Sequence, residues 1–183
     1  MHYFGWDPGL KGAIALLGDK LQYRPYPLIK VGDEKVLDLE LFGKRVRQLA
    51  SYDAFGVYEF NQAIIRGAGG ARISGPAQYN YGHGNGYMQG WIEALRIKAI
   101  GLTPKEWQAE LFEGYDIPKE EPAKESVKRI IMEMFPDSTF VVAKSAIHDG
   151  CIDATAMAVV AKRIVEKTLR NKKIIELVSG LYE

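Results

Sequence analysis

Apolar residues near the start of the chain fall into short runs broken by turn sequences. His2 to Asp7 and Gly12 to Leu17 are two such runs, separated by Pro8-Gly9-Leu10-Lys11. A third, Lys20 to Tyr26, follows the turn Gly18-Asp19. Three strands with such short connections predict an antiparallel meander. Past Asp38, a candidate helix cap, Leu39, Leu41, Phe42, Val46 and Leu49 recur at near-helical spacing. Ala54 to Tyr58 is a short apolar strand, and its place after a helix predicts parallel addition to the sheet. Gly86 to Leu95 reads as a helix with Met88, Trp91, Ile92 and Leu95 on one face, and Lys98 to Thr103 as a strand. Thr103-Pro104-Lys105-Glu106 combines capping-box spacing with proline at the first helical position, which predicts a short helix through Leu111. A helix from Ala123 to Phe135 ends before Pro136, and Thr139 to Val142 is extended. A long helix runs from His148 or Asp149 to Leu169, and Ile174 to Tyr182 adds a short one.

One segment resists this reading. Asn61 to Gly86 has no clear period and is rich in glycine, from Gly67 through Gly75 to Gly86. Loops this long in compact domains are usually functional or disordered, so 61–86 is expected to be a glycine-rich loop that contacts a ligand. The remaining order is three strands, helix, strand, helix, strand, helices. That is the order of an RNase H-like α/β fold: a mixed five-stranded sheet, three antiparallel strands then parallel additions, flanked by helices. With 183 residues and no internal repeat, the chain is expected to form a single domain over 1–183.

Composition narrows the class. The chain is 47% hydrophobic and 26% charged, and no apolar stretch is long enough to span a bilayer. Met1-His2-Tyr3-Phe4 lacks the regions of a signal peptide. A lone cysteine, Cys151, makes neither an internal disulfide nor a zinc site, which points to a reducing, cytoplasmic setting. Net charge is +1, but its distribution is uneven. No Asp or Glu occurs from Asn61 to Ile92, a stretch that carries Arg66, Arg72 and His83. Lys162, Arg163, Lys167, Arg170, Lys172 and Lys173 outnumber the acids near the C-terminal end. Locally basic faces on a neutral protein suit a polyanion, although the C-terminal run is equally a solvated helix surface.

Four carboxylates stand at the rims of apolar elements. Asp7 ends Tyr3-Phe4-Gly5-Trp6, Glu59 ends Phe55-Gly56-Val57-Tyr58, and Asp149 and Asp153 open the apolar stretch Ala154 to Ala161. A carboxylate at the end of a buried strand is costly unless something positive neutralises it. Asp149 and Asp153, at i and i+4, share one helix face near its positive end. Each also has an ordinary reading. Asp149 suits a helix cap, Asp7 before Pro8-Gly9 suits a turn, and Glu59 an edge strand. A hard cation such as Mg²⁺ takes oxygen ligands, and two such ions about 3.5–4 Å apart can activate water and stabilise a leaving oxygen in phosphodiester hydrolysis. His148 reads either as a ligand or proton carrier or as a polar helix-start residue. Lys124 near a phosphate would stabilise developing negative charge, but spacing alone does not distinguish it from a surface lysine. In the glycine-rich segment, Arg66 and Arg72 suit phosphates, and Tyr79 and Tyr81 suit unpaired bases.

In order along the chain, these motifs resemble the RuvC-like Holliday junction resolvases, particularly divergent phage-type members. Gly5-Trp6-Asp7-Pro8-Gly9-Leu10-Lys11-Gly12 resembles the family's first strand-turn-strand motif, and Val57-Tyr58-Glu59 its second acidic strand. Gly82-His83-Gly84-Asn85-Gly86, Leu102-Thr103-Pro104-Lys105-Glu106-Trp107 and Ala123-Lys124-Glu125-Ser126-Val127 resemble its intervening segments. His148-Asp149-Gly150-Cys151-Ile152-Asp153-Ala154 resembles the closing helix. The similarity runs from about residue 2 to 162, and its first and last motifs are specific only together. It implies a homodimer that nicks opposed strands of branched DNA, above all four-way junctions, as a Mg²⁺-dependent crossover junction endodeoxyribonuclease. It further implies Asp7, Glu59, Asp149 and Asp153 as ligands of two Mg²⁺ ions, with Mn²⁺ as a substitute, and Lys124 as the cation beside the phosphate. The setting would be a bacterial or phage-infected cytoplasm. Two features depart from the bacterial pattern: the last two acids are four rather than three residues apart, and the glycine-rich segment is long.

Three other readings compete. An actin-like kinase or ATPase also begins with an Asp-x-Gly strand-turn-strand, but needs a second comparable domain for which this chain has no room. A non-catalytic junction-binding protein would carry four acids that repel DNA unless metal neutralises them. An RNase H-like nuclease acting on RNA or RNA–DNA hybrids is compatible with the same residues.

Overall fold

A computed structural model describes residues 1–9, 11–60, 75–143 and 146–179. The first three strands are β1 (His2–Asp7), β2 (Ala13–Leu17) and β3 (Leu21–Pro25), an antiparallel meander as the alternating runs predict. After α1 (Leu39–Ala50), β6 (Ala54–Glu59) adds parallel to β1. After α2 (Gly75–Ala94), β7 (Lys98–Leu102) adds parallel to β6. The sheet order is β3-β2-β1-β6-β7, which matches the expected mixed five-stranded sheet and places β1 and β6 inside it. Glu59 is therefore on an interior strand, not an edge. The chain closes with α3 (Pro104–Phe112), α4 (Ala123–Met134) and α5 (Asp149–Ser179).

Local chemistry explains the boundaries. The Asp38 carboxylate accepts from the Leu41 N–H at 3.0 Å and so caps α1. The Thr103 hydroxyl and the Glu106 carboxylate form both halves of a capping box at α3. Four features differ from the sequence reading. Leu28–Val31 (β4) and Glu34–Leu37 (β5) form a separate hairpin. Val141–Ala143 (β8) pairs with the very short Ala146–Ile147 (β9). Helix α2 begins at Gly75 rather than Gly86, so residues 75–86 of the expected loop are helical and the rest of it, with Arg66 and Arg72, lies outside the described residues. Helix α5 runs unbroken to Ser179, because nothing between Leu169 and Ile174 stops a helix, and the expected separate tail helix merges into it.

The sheet separates two cores. On one face Phe4, Trp6 and Leu16 pack against Phe42 and Val46 of α1 and Met88 and Ile92 of α2. On the other, Ala13, Ala15 and Val57 pack against Trp107, Leu111, Ile130 and the apolar side of α5. Helix α5 lies on β1 and β2 closely enough that small residues are required. A Cβ on Gly5 would sit 1.8 Å from the Ala154 carbonyl oxygen and 2.5 Å from the Ala158 nitrogen. This close approach sets the start of α5 beside the end of β1.

Candidate active site

Strand parity and register assemble the first half of the site. β1 and β6 are parallel with Gly5 opposite Val57 and Trp6 opposite Tyr58. Residues alternate between sheet faces, so Tyr3, Gly5 and Asp7 share the α5 face with Phe55, Val57 and Glu59. Asp7 and Glu59 thus end adjacent strands, on one face and at one level. Their fields are felt: burial pushes the Asp7 carboxyl up to about 6, a hydrogen bond from the Gly9 N–H (3.1 Å to Oδ1) opposes this, and the Glu59 charge adds to the rise. The turn reading of Asp7 is therefore correct for one oxygen and does not exhaust the residue.

Helix α5 supplies the second half. Gly150 lets its first turn press on the β1–β2 connection, since a Cβ there would meet the Lys11 carbonyl oxygen at 2.2 Å and Asp7 Oδ2 at 3.0 Å. One turn further, Asp153 is half-buried, and its carboxyl is pushed up to about 7. Desolvation is the main cause, followed by the charges of Asp7 and Glu59; Lys124 lowers it and Asp149 adds a small rise. The charges of Asp7 on β1 and Glu59 on β6 therefore act on Asp153 of α5, between strand ends and helix start.

Asp149 stands apart. It is exposed and pairs with Lys124 of α4, Nζ to Oδ2 at 2.6 Å, with the two side chains 64% and 56% exposed. The pair raises the lysine pKa above its ordinary value. Asp149 is not the cap of α5. That role belongs to His148, whose Nδ1 accepts from the Cys151 N–H at 3.3 Å while its carbonyl accepts from Cys151 and Ile152. A histidine cap was not legible because imidazole is not among the usual capping side chains.

Sequence reasoning also missed the support of Glu59. Trp107 of α3, buried against the α5-side core, donates its indole N–H to Glu59 Oε2 at 3.1 Å. The only signal was indirect: the capping box at Thr103 fixes the start of α3 and hence the direction of Trp107. Tyr79 and Tyr81 lie on α2, and Arg66 and Arg72 fall outside the described residues.

The donor set suits a hard cation, because oxygen ligands without thiolate or a cluster of imidazoles favour Mg²⁺-type ions. Among the described residues, no three acids, histidines or cysteines stand close enough together to hold a metal ion as they are. Burial is the main cause of the raised Asp7 and Asp153 carboxyls, their like-charged neighbours add to it, and a divalent cation among them would offset both. In donor chemistry, though not as a preassembled cluster, the residues suit the group.

Among the described residues no helix is long and apolar enough to cross a membrane. No family model and no curated protein sequence matches the chain. Solved structures do. RuvC of T. thermophilus in complex with a Holliday junction substrate aligns over 91% of this chain and 96% of its own, with TM-score 0.52 and 14% identity. A second Thermus thermophilus RuvC structure aligns over 92% and 97%, with TM-score 0.50 and 16% identity. At such identities the likeness is one of architecture, and the chain has the RNase H-like fold of these RuvC structures.

Proposed function

We propose that this protein is a structure-selective DNA endonuclease that hydrolyses phosphodiesters at four-way and other branched junctions. The observation that carries this reading is that the Asp7 and Glu59 charges act on the half-buried Asp153 at one end of a RuvC-like sheet, beside the Lys124–Asp149 pair. Asp7, Glu59 and Asp153 are the residues that would hold divalent metal, with Asp149 at the rim as a fourth ligand. Two bound Mg²⁺ ions, or Mn²⁺ in their place, would supply an activated water and charge stabilisation for the leaving oxygen.

The remaining roles belong to the chain. Trp107 fixes one oxygen of Glu59 and so its orientation. Lys124 holds its ammonium at the rim, where a phosphate would exchange one anionic partner, Asp149, for another. His148 holds the start of α5 and so the position of both helix acids. A homodimer would present two such sites to two strands of one junction. Arg66 and Arg72 are assigned to DNA phosphates and Tyr79 and Tyr81 to unpaired bases, and Arg66→Ala or Arg72→Ala should weaken junction binding and flatten its salt dependence. An unaltered salt slope removes these arginines from the interface.

The deciding experiment is cleavage of labelled four-way junction, flap and linear duplex with and without Mg²⁺. Mg²⁺-dependent incision of the junction, abolished by Asp7→Asn with binding retained within about tenfold, is the expected result. Equal cutting of linear duplex would remove the structural selectivity, and unchanged cutting by Asp7→Asn would remove Asp7 from the chemistry.

A further inference from the structure

Asp7 is oriented by one peptide group, and that group is itself braced from the far side of the sheet. The peptide joining Pro8 to Gly9 donates its N–H to Asp7 Oδ1 at 3.1 Å. Its carbonyl oxygen belongs to the buried Pro8 and lies against α2, where a Cβ on Gly84 would sit 2.4 Å from it. A peptide group is planar, so its two ends cannot turn independently. The rest of the turn has little room to absorb a push. The Gly12 N–H donates to the Gly9 carbonyl at 2.7 Å and closes it. A Cβ on Gly12 would meet the Asp7 carbonyl oxygen at 2.1 Å, and one on Gly150 of α5 would meet the Lys11 carbonyl oxygen at 2.2 Å. The start of α5 and the first half of α2 thus grip the turn from opposite faces of the sheet.

The sequence of α2 marks Gly84 off from its neighbours. Gly84, Met88 and Ile92 recur at i, i+4 and i+8 on the inward face, with Met88 and Ile92 buried in the core shared with α1. Gly82, Gly86 and Gly90 are exposed, and among the described residues nothing lies within 4 Å of a Cβ placed on any of them. Glycine is less favourable than alanine inside a helix. Of these four glycines, packing among the described residues gives a reason for Gly84 alone.

We infer that Gly84 is a positioning residue for Asp7, acting through the Pro8–Gly9 peptide to fix the rotation of its carboxylate. The chemical consequence rests on the reading of Asp7 as a metal ligand, while the brace itself stands on geometry. A Cβ at position 84 would meet backbone rather than a flexible side chain, so either α2 or the turn must give. Movement of the Pro8 carbonyl carries the Gly9 N–H with it and disturbs the bond that orients Oδ1. Outer supports of this kind govern metal affinity by about 10- to 100-fold. The same helix carries Tyr79 and Tyr81, so the element assigned to unpaired bases also braces the carboxylate.

The test is a set of glycine-to-alanine variants of the full chain, read by backbone amide NMR in EDTA. Gly84→Ala should move the Gly9 amide resonance and speed its hydrogen exchange by at least about tenfold. Gly86→Ala and Gly90→Ala should leave Gly9 unmoved and raise Tm by roughly 1–4 °C. Gly43→Ala, whose Cβ would stand 3.2 Å from the Trp91 ring in the same layer, controls for crowding alone and should also leave Gly9 unmoved. Titration with Mg²⁺, followed by the same amides, should give a Kd about 10- to 100-fold weaker in Gly84→Ala and unchanged in the other three. Should Gly84→Ala fail to fold, Met88→Val alters the seating of α2 one turn further along without a clash, and its Gly9 amide decides the matter in the same way. An unmoved Gly9 amide, equal movement in Gly86→Ala or Gly43→Ala, or an unweakened Mg²⁺ response in folded Gly84→Ala overturns the inference. A wild-type protein with no saturable Mg²⁺ response defeats the metal reading of Asp7 instead, and the amide comparison still decides the brace.

Discussion

Replacing Asp153 by Asn asks whether the carboxylate cluster stores unfavourable energy that a metal would release. The side chain is half-buried beside Asp7 and Glu59, and its carboxyl titrates near 7 instead of the ordinary 3.8. That difference corresponds to ~4 kcal/mol by which the fold disfavours the ionised form. The sign follows from linkage. A carboxyl whose folded pKa is raised contributes stability that is complete below the unfolded value and is lost as pH rises through the folded one. Wild-type protein without metal therefore loses stability between about pH 4 and pH 7, and the amide variant escapes that loss. Part of the repulsion stays between Asp7 and Glu59, and a buried amide has its own desolvation cost, so a net gain of ~2–3 kcal/mol is expected. For a chain of this length that raises Tm by roughly 4–12 °C. Scanning calorimetry in EDTA at pH 8.5 should show the gain, and at pH 4 it should nearly vanish. Adding Mg²⁺ should raise the wild-type Tm more than that of the variant, reversing or closing the gap. A variant no more stable than wild type at pH 8.5 in EDTA would refute the claim that Asp153 is held under electrostatic load.

Two further substitutions probe the neighbours of the cluster. Trp107→Phe removes the indole donor to Glu59, and should cost about 1–3 kcal/mol in urea unfolding and weaken Mg²⁺ dependence of cleavage by roughly 10- to 100-fold; an unchanged Mg²⁺ titration would make the contact purely structural. Lys124→Ala should lower the junction cleavage rate by about 10²–10³, while stability changes by less than about 1 kcal/mol because the Asp149 pair is exposed. A large stability loss with normal cleavage would invert that assignment.

What the sequence could disclose was decided by how local each cause is. Strands β1 to β3, the cap at Asp38 and the capping box at Thr103 rest on neighbours within a few positions, and they appear where expected. The β4–β5 hairpin was hidden because Leu28, Ile29 and Val31 are all exposed and show no alternation between apolar and polar faces. The start of α2 was hidden because glycine at 75, 82, 84 and 86 argues against a helix on propensity alone. The site divides the same way. Asp7, Glu59 and Asp153 could be singled out as acids at the ends of apolar elements. Their mutual repulsion, the Trp107 contact and the Lys124–Asp149 pair depend on how α3, α4 and α5 lie on the sheet, which no local spacing encodes.

The division of the core into two layers has an evolutionary consequence. Beyond the sheet itself, the residues around the carboxylates come from α3, α4 and α5, while α1 and α2 pack on the other side. Drift in the outer positions of the α1–α2 layer that preserves the sheet can reshape the far surface without moving an acid. On the α5 side Gly5 and Gly150 leave no room for even a methyl group beside the acids, and on the other side Gly84 of α2 is held as tightly against the Pro8 carbonyl. Descendants of this chain should therefore vary most across the α1–α2 surface and least along the Gly5 and Gly150 contacts, a fold that keeps its carboxylates in place and varies its attachments.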